Sequence, residues 1–166
     1  MSLSLDVGYT DSVLDPDTAQ DFSMGKLNIT EDLVVRSNTP GNCVIVNVTS
    51  PLDRVEKFRF GYQEVQDVYK GSGIDPTYYG NSRKGVSIVA QNTNTVRVLD
   101  SADSSNNVDL PLSCHIVIKV PNHALITPAV VYTMLGRLMA AMHDEAGADN
   151  TRLTSLLHGA LVPTEL

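Results

Sequence analysis

The chain has 166 residues, 42% of them hydrophobic and 19% charged, with 11 glycines and 8 prolines. That is the composition of one ordinary globular domain and excludes collagen-like and disordered classes. A formal charge of −7 excludes a surface that coats nucleic acid all over, because phosphate binding needs lysine and arginine, but it leaves room for a local basic face. The opening MSLSLDVGYTDSVLDPD has neither a basic n-region nor a continuous apolar h-region, so no signal peptide is expected. Cys43 and Cys114 are too few for a disulfide scaffold and form no CxxC. They are expected as buried thiols in a reducing compartment.

From the start to about residue 120, short strands separated by turn clusters are expected, with no sustained helical period. In chain order the strands are Leu3–Tyr9, Lys26–Ile29, Leu33–Ser37, Cys43–Thr49, Val55–Tyr69, Val86–Asn92, Thr95–Leu99 and Leu112–Val120. NTPGN, GSGIDPTYYGNSRKG and DSADSSNN punctuate them. Alternation separates the faces. In EKFRFGYQ, Phe58, Phe60 and Tyr62 oppose Lys57, Arg59, Gly61 and Gln63; in the last strand, Cys114, Ile116, Ile118 and Val120 oppose Ser113, His115, Val117 and Lys119.

The period then becomes helical. Thr127 is placed to N-cap, with Pro128 at the first helical position. Val131, Leu135, Leu138 and Met142 fall on one stripe, with Met134 and Ala141 beside it. Gly147 is the expected stop. A second helix is expected from Asp149 or Asn150 through Leu153, Leu156, Leu157, Ala160 and Leu161 until Pro163. Strands first and helices last make an α+β architecture, a β region of 1–122 and a helical region of 123–166 within one domain. Two short helices cover little of a many-stranded sheet, so a homodimer in which partners cover each other is expected. Helix residues Val131, Met134, Leu135, Leu138, Met142, Leu153, Leu156 and Leu157 would pack there.

No constellation supports catalysis, and an enzyme is not expected. GNSRKG lacks the spacing and setting of a nucleophile elbow, and GSG lacks the later glycines of a phosphate or dinucleotide loop. The acidic run DSVLDPDTAQD fails as a calcium loop: Gln20 stands where glycine is required and Lys26 where the bidentate glutamate belongs. The four histidines show no metal-ligand spacing. No cofactor, metal or membrane partner is expected. What remains is a polar and basic sheet face, on which Lys57, Arg59, Gln63, Ser87, Gln91, Ser113, His115 and Lys119 would meet if the strands are neighbours, with Arg83 and Lys84 at a strand entrance. Periodicity alone also fits a merely solvated face.

The order of a long β region, a polar loop, LSCHIVIKVP, a short link into TPAVVYTMLGRLMAAMHDEAG and a second helix NTRLTSLLHGAL resembles the coat proteins of single-stranded RNA bacteriophages, the leviviruses. The likeness lies mainly in residues 110–162 and, by strand order, in Val55–Leu99. The resemblance implies an N-terminal β-hairpin, a five-stranded antiparallel sheet and two C-terminal helices that interlock in a homodimer. It further implies a T=3-type icosahedral shell in the virion, made in the bacterial cytoplasm, with the sheet facing packaged single-stranded genomic RNA. The same face would bind an operator hairpin and repress translation. Asp100–Asp109 would border the symmetry axes. In the family's best-known members an aromatic and an amide on the last strand hold a flipped base, whereas this chain has Ser113 and His115. A dimeric RNA-binding regulator that forms no shell is the alternative.

Overall fold

The computed structural model describes residues 28–99, 107–142 and 151–159. The chain divides into two compact units, one of Gly25–His123 and one that includes Ala124–Leu166. The first unit is a five-stranded antiparallel meander: β1 (Leu33–Thr39), β2 (Asn42–Asn47), β3 (Lys57–Val65), β4 (Gly85–Leu99) and β5 (Asn107–Pro121), paired in that order. The expected hairpin strand Leu3–Tyr9 and the acidic run lie outside the described residues. Where a strand was expected over Lys26–Ile29, Asn28 and Ile29 are not extended. The Asn28 carbonyl accepts the Asp32 N–H at 3.0 Å and the Asn28 amide donates to Glu31, which closes a local turn instead.

β1 and β2 meet through Pro40–Gly41. Proline sets φ for the first turn position, and Gly41 has φ 76°, the left-handed conformation that glycine adopts without a Cβ penalty. Its carbonyl accepts the Tyr62 N–H from β3 at 2.8 Å. The β1–β2 register shifts between Val35 and Ser37, leaving Arg36 as the extra residue of a β-bulge. Between β2 and β3, the Glu56 carboxylate accepts from the amides of Asn47 at 2.8 Å and Asn92 at 3.1 Å, tying the loop to both β2 and β4.

β4 is one strand of 15 residues, not the two expected. The polar NTNT reads locally as a turn, yet Thr93 and Asn94 pair with Ser113 and Leu112 of β5; a long partner overrides weak local propensity. β5 likewise starts at Asn107, five residues before its expected beginning. Pro111 is accommodated because β5 is an edge strand, where the missing N–H leaves no ladder bond unmade. β3 ends at Val65 instead of Tyr69.

Residues 66–84 form a self-packed loop. Tyr69 and Tyr79 stack with centroids 4.1 Å apart, the Arg83 guanidinium lies 5.2 Å from the Tyr79 ring, and the Tyr69 hydroxyl accepts the Gly80 N–H at 2.9 Å. Asp75 caps a 3-10 turn at Pro76–Tyr78 by accepting the Thr77 N–H.

In the second unit, α1 (Pro128–Ala141) begins as expected, with Thr127 extended at the N-cap and Pro128 first in the helix. Thr127 caps by its carbonyl, which accepts the N–H groups of Val130 and Val131; its side chain makes no cap bond. Residues 143–150 lie outside the described set, and with them the expected stop at Gly147. α2 (Thr151–Leu157) is shorter than expected. Gly159, at φ 81°, takes the left-handed C-terminal position and donates to the Leu156 carbonyl, so a glycine ends the helix before the stop expected at Pro163, which lies outside the described residues. Of the helix stripe, Val131, Leu135, Met142 and Leu156 are half-buried, while Met134, Leu138, Leu153 and Leu157 are exposed. Among the described residues, no helix is long and apolar enough to cross a membrane.

Candidate RNA interface

In an antiparallel ladder, directly paired residues share a face. The register therefore sorts the sheet side chains without ambiguity. Gln63, Ser87 and Lys119 form one cross-strand row on β3, β4 and β5; Arg59, Gln91 and His115 form another; Lys57, Thr93 and Ser113 form a third. Gly61, Val89 and Val117 lie between the first two. All eight residues expected on a common polar face are on it. At roughly 3.4 Å per residue the four rows span about 20 Å of strand.

Three full cations, Lys57, Arg59 and Lys119, stand on these rows, and no carboxylate does. All three are exposed, as is His115, whereas Ser87, Gln91 and Thr93 are half-buried in the ladder. β2 extends the face with Asn42, Val44 and Val46, paired with Gly61, Arg59 and Lys57. The Arg59 Nε donates to Asn42 Oδ1 at 2.7 Å. Arg83 and Lys84 precede β4 but stand outside the rows. Arg83 is engaged in the 66–84 loop, over Tyr79 and 3.7 Å from Asp67.

Two members of this face escaped the sequence reading. Thr93 fell in the gap between two expected strands, although the alternation of Gln91, Thr93 and Thr95 runs through it. Asn42 sits one residue before the expected start of its strand. A longer window of period two would have found both.

The opposite face carries Ile45, Phe58, Asn92 and Cys114 in one row, Cys43, Phe60, Ala90 and Ile116 in the next, then Tyr62, Ile88 and Ile118. Among the described residues no apolar side chain is buried, and Tyr62 and Leu112 on this face are 52% and 62% exposed. The two thiols, expected buried, are half-buried at Cys43 and exposed at Cys114. They lie on this face, on strands separated by β3 and β4.

Beyond the four rows, the β4–β5 ribbon ends in an ion cluster. Arg97 pairs across the ladder with Asp109, donating from Nε at 2.6 Å and from a terminal nitrogen at 2.7 Å. It also donates to Asp53 of the β2–β3 loop at 2.9 Å. The hydrogen bond from Arg97, reinforced by its charge, holds the Asp109 carboxyl below the ordinary carboxylate range. β5 already includes Asn107–Asp109, so the loop expected over Asp100–Asp109 is shorter than its composition suggested.

The chain is similar over its whole length to the protein of the virus-like particle of bacteriophage AVE015: 32% identity, 99% of this chain and 100% of that one covered, TM-score 0.87. The virus-like particle of bacteriophage GQ-112 shares the fold at 16% identity, covering 96% and 98% of the two chains with a TM-score of 0.77. No protein-family model and no curated protein matches the chain. The full-length identity, together with a five-stranded antiparallel sheet followed by two C-terminal helices, places this chain among the coat proteins of single-stranded RNA bacteriophages.

Proposed function

We propose that this protein builds the icosahedral shell of a phage particle from homodimers and packages single-stranded genomic RNA against the polar sheet face. The observation that carries the reading is the full-length likeness to a protein that forms virus-like particles. Two features support it. The sheet segregates its charge, with three cations and no carboxylate on four adjacent rows of a chain whose net charge is −7; this is the arrangement that attracts phosphate locally. The opposite face leaves Phe60, Tyr62, Val96, Val98, Leu110 and Leu112 exposed, and the half-buried and exposed apolar residues of α1 and α2 offer a second apolar surface. Apolar area on this scale calls for a partner, and a second copy with interlocking helices supplies one.

The shell would be of the T=3 type, and the protein would reside in the virion. Repression through an operator hairpin would draw on the same sheet face. Negative-stain microscopy of recombinant protein, with nuclease-protected RNA measured in the same fractions, tests the proposal. Uniform particles containing RNA are expected. Dimers alone across pH and salt, with RNA supplied, would refute the shell and favour a small RNA-binding regulator.

A further inference from the structure

β3 and β4 are direct antiparallel neighbours whose last pair is Val65 with Gly85, so a turn of about two to five residues would join them. Residues 66–84 stand there instead, longer than the roughly 12–15 residues beyond which connections without regular structure become uncommon. Such length is kept for a function or is left disordered. This loop is ordered. The Tyr69–Tyr79 stack, the Arg83 guanidinium over Tyr79 and the Tyr69 hydroxyl on the Gly80 N–H close its base. Towards the tip, Ser72 donates to the Tyr69 carbonyl from both its N–H, at 3.0 Å, and its hydroxyl, at 2.8 Å. Asp75 and Pro76 then fix the 3-10 turn that follows.

What this frame displays is apolar. Tyr69 and Tyr79 are half-buried in the stack, whereas Tyr78 is 80% exposed and Ile74 46% exposed. Tyr78 is held through its backbone, the N–H donating to the Asp75 carbonyl at 3.0 Å, so its ring is not what shapes the loop. A tyrosine on a frame already ordered is the kind of residue that anchors protein interfaces, because little freedom is left to lose when a partner arrives.

An RNA base and a second copy of the chain both have the chemistry to cover an exposed tyrosine. Residues 71–80, GSGIDPTYYG, carry a single charged group, Asp75, and its negative charge repels phosphate. The full-length likeness is to a protein that forms virus-like particles, and a shell built of dimers requires each copy to touch neighbours outside its own dimer. Both points favour protein over RNA.

Resting on the shell reading, we infer that the tip of the 66–84 loop is a contact between dimers, with Tyr78 as its anchor and Ile74 beside it, seated on a second copy of this chain. This surface is separate from the apolar sheet face and the helices, which serve the dimer itself.

The test uses full-length protein taken apart to dimers and reassembled with one fixed RNA, followed by light scattering and microscopy over a range of protein concentrations. Truncating an interface anchor to alanine weakens a contact about thirtyfold. Tyr78→Ala should therefore raise the concentration threshold for particles at least about tenfold, while Tyr78→Phe, which keeps the ring, should stay within about threefold of the parent. Both variants should unfold as dimers at the parent's temperature, with no new cleavage in the loop. With p-benzoylphenylalanine in place of Tyr78, irradiation should give covalent chain pairs in particles and none in isolated dimers, and mass spectrometry of the adduct locates the receiving surface. An unchanged threshold in Tyr78→Ala, adducts already present in isolated dimers, or adducts to RNA alone would overturn the inference while leaving the shell intact. No particles from the parent across pH and salt, with RNA supplied, would overturn the shell reading and this inference with it.

Discussion

Gly85 opens β4 and is buried, the junction at which the 66–84 loop joins the sheet. A Cβ built there would clash with Val68 Cγ1 and lie 2.5 Å from the Val120 carbonyl oxygen and 3.2 Å from Pro121 Cα. Val68 could rotate away, but the Val120 oxygen is backbone in the ladder partner of Val86 and cannot yield without disturbing the pairing. Gly85→Ala is therefore overpacking against a rigid neighbour, and the upper part of the usual range applies, about 2–3 kcal/mol. For a domain of this size that corresponds to a fall in Tm of roughly 4–12 °C. The loop should suffer first, because the Val68 N–H bond to the Arg83 carbonyl, 2.9 Å long, lies beside the clash. Thermal unfolding at fixed protein concentration, with limited proteolysis followed by mass spectrometry, reads both effects; concentration must be held because assembly adds to apparent stability. An unchanged Tm with no new cleavage between residues 66 and 84 would refute the reasoning, since it would mean that the β4–β5 ladder end can move at little cost.

Replacing Lys57 or Lys119 by glutamine should lower the salt dependence of RNA retention by about 0.7 in the slope of log affinity against log salt for each residue, read by binding titrations at several salt concentrations; an unaltered slope would remove that lysine from the interface. At the ribbon end, the Asp109 carboxyl is held below its ordinary range by Arg97. A depressed folded value means that its contribution is present above the unfolded carboxylate value and is lost as pH falls through the folded one. Acidification below the ordinary carboxylate range should therefore lower the protection factors of the Val98 and Val108 amides, exchange being compared with the intrinsic rate at each pH, and Asp109→Asn should already show lower protection at neutral pH and lack that acid step. Tyr69→Phe removes the acceptor of the Gly80 N–H and should destabilise the 66–84 loop by about 1 kcal/mol, visible as faster proteolysis there with little change in unfolding of the sheet.

Much of this molecule was legible in its sequence because period two survives in every long strand. KFRFGYQ and CHIVIKV each assign their side chains to two faces, and the expected polar set emerged on one face without a misplaced member. Thr127–Pro128 likewise marked the start of α1 by local chemistry. Errors gathered where local preference and long-range pairing disagree. NTNT looks like a turn when read alone but is held extended by β5, and Pro111 looks like a break but sits on an edge. Val55–Tyr69 read as one strand, whereas β3 ends at Val65 and Tyr69 leaves the sheet to stack on Tyr79.

The sequence by itself determined the α+β order and the two faces of each strand, because alternation, caps and turn residues act over a few positions and are written in adjacent letters. Only the tertiary structure decided which strands stand side by side and in what register. That is why it alone could bring Lys57, Arg59 and Lys119 onto neighbouring rows free of carboxylates, and set Asn42 against Arg59 across 17 positions of chain. Register depends on pairing between distant segments, and no single strand carries that information.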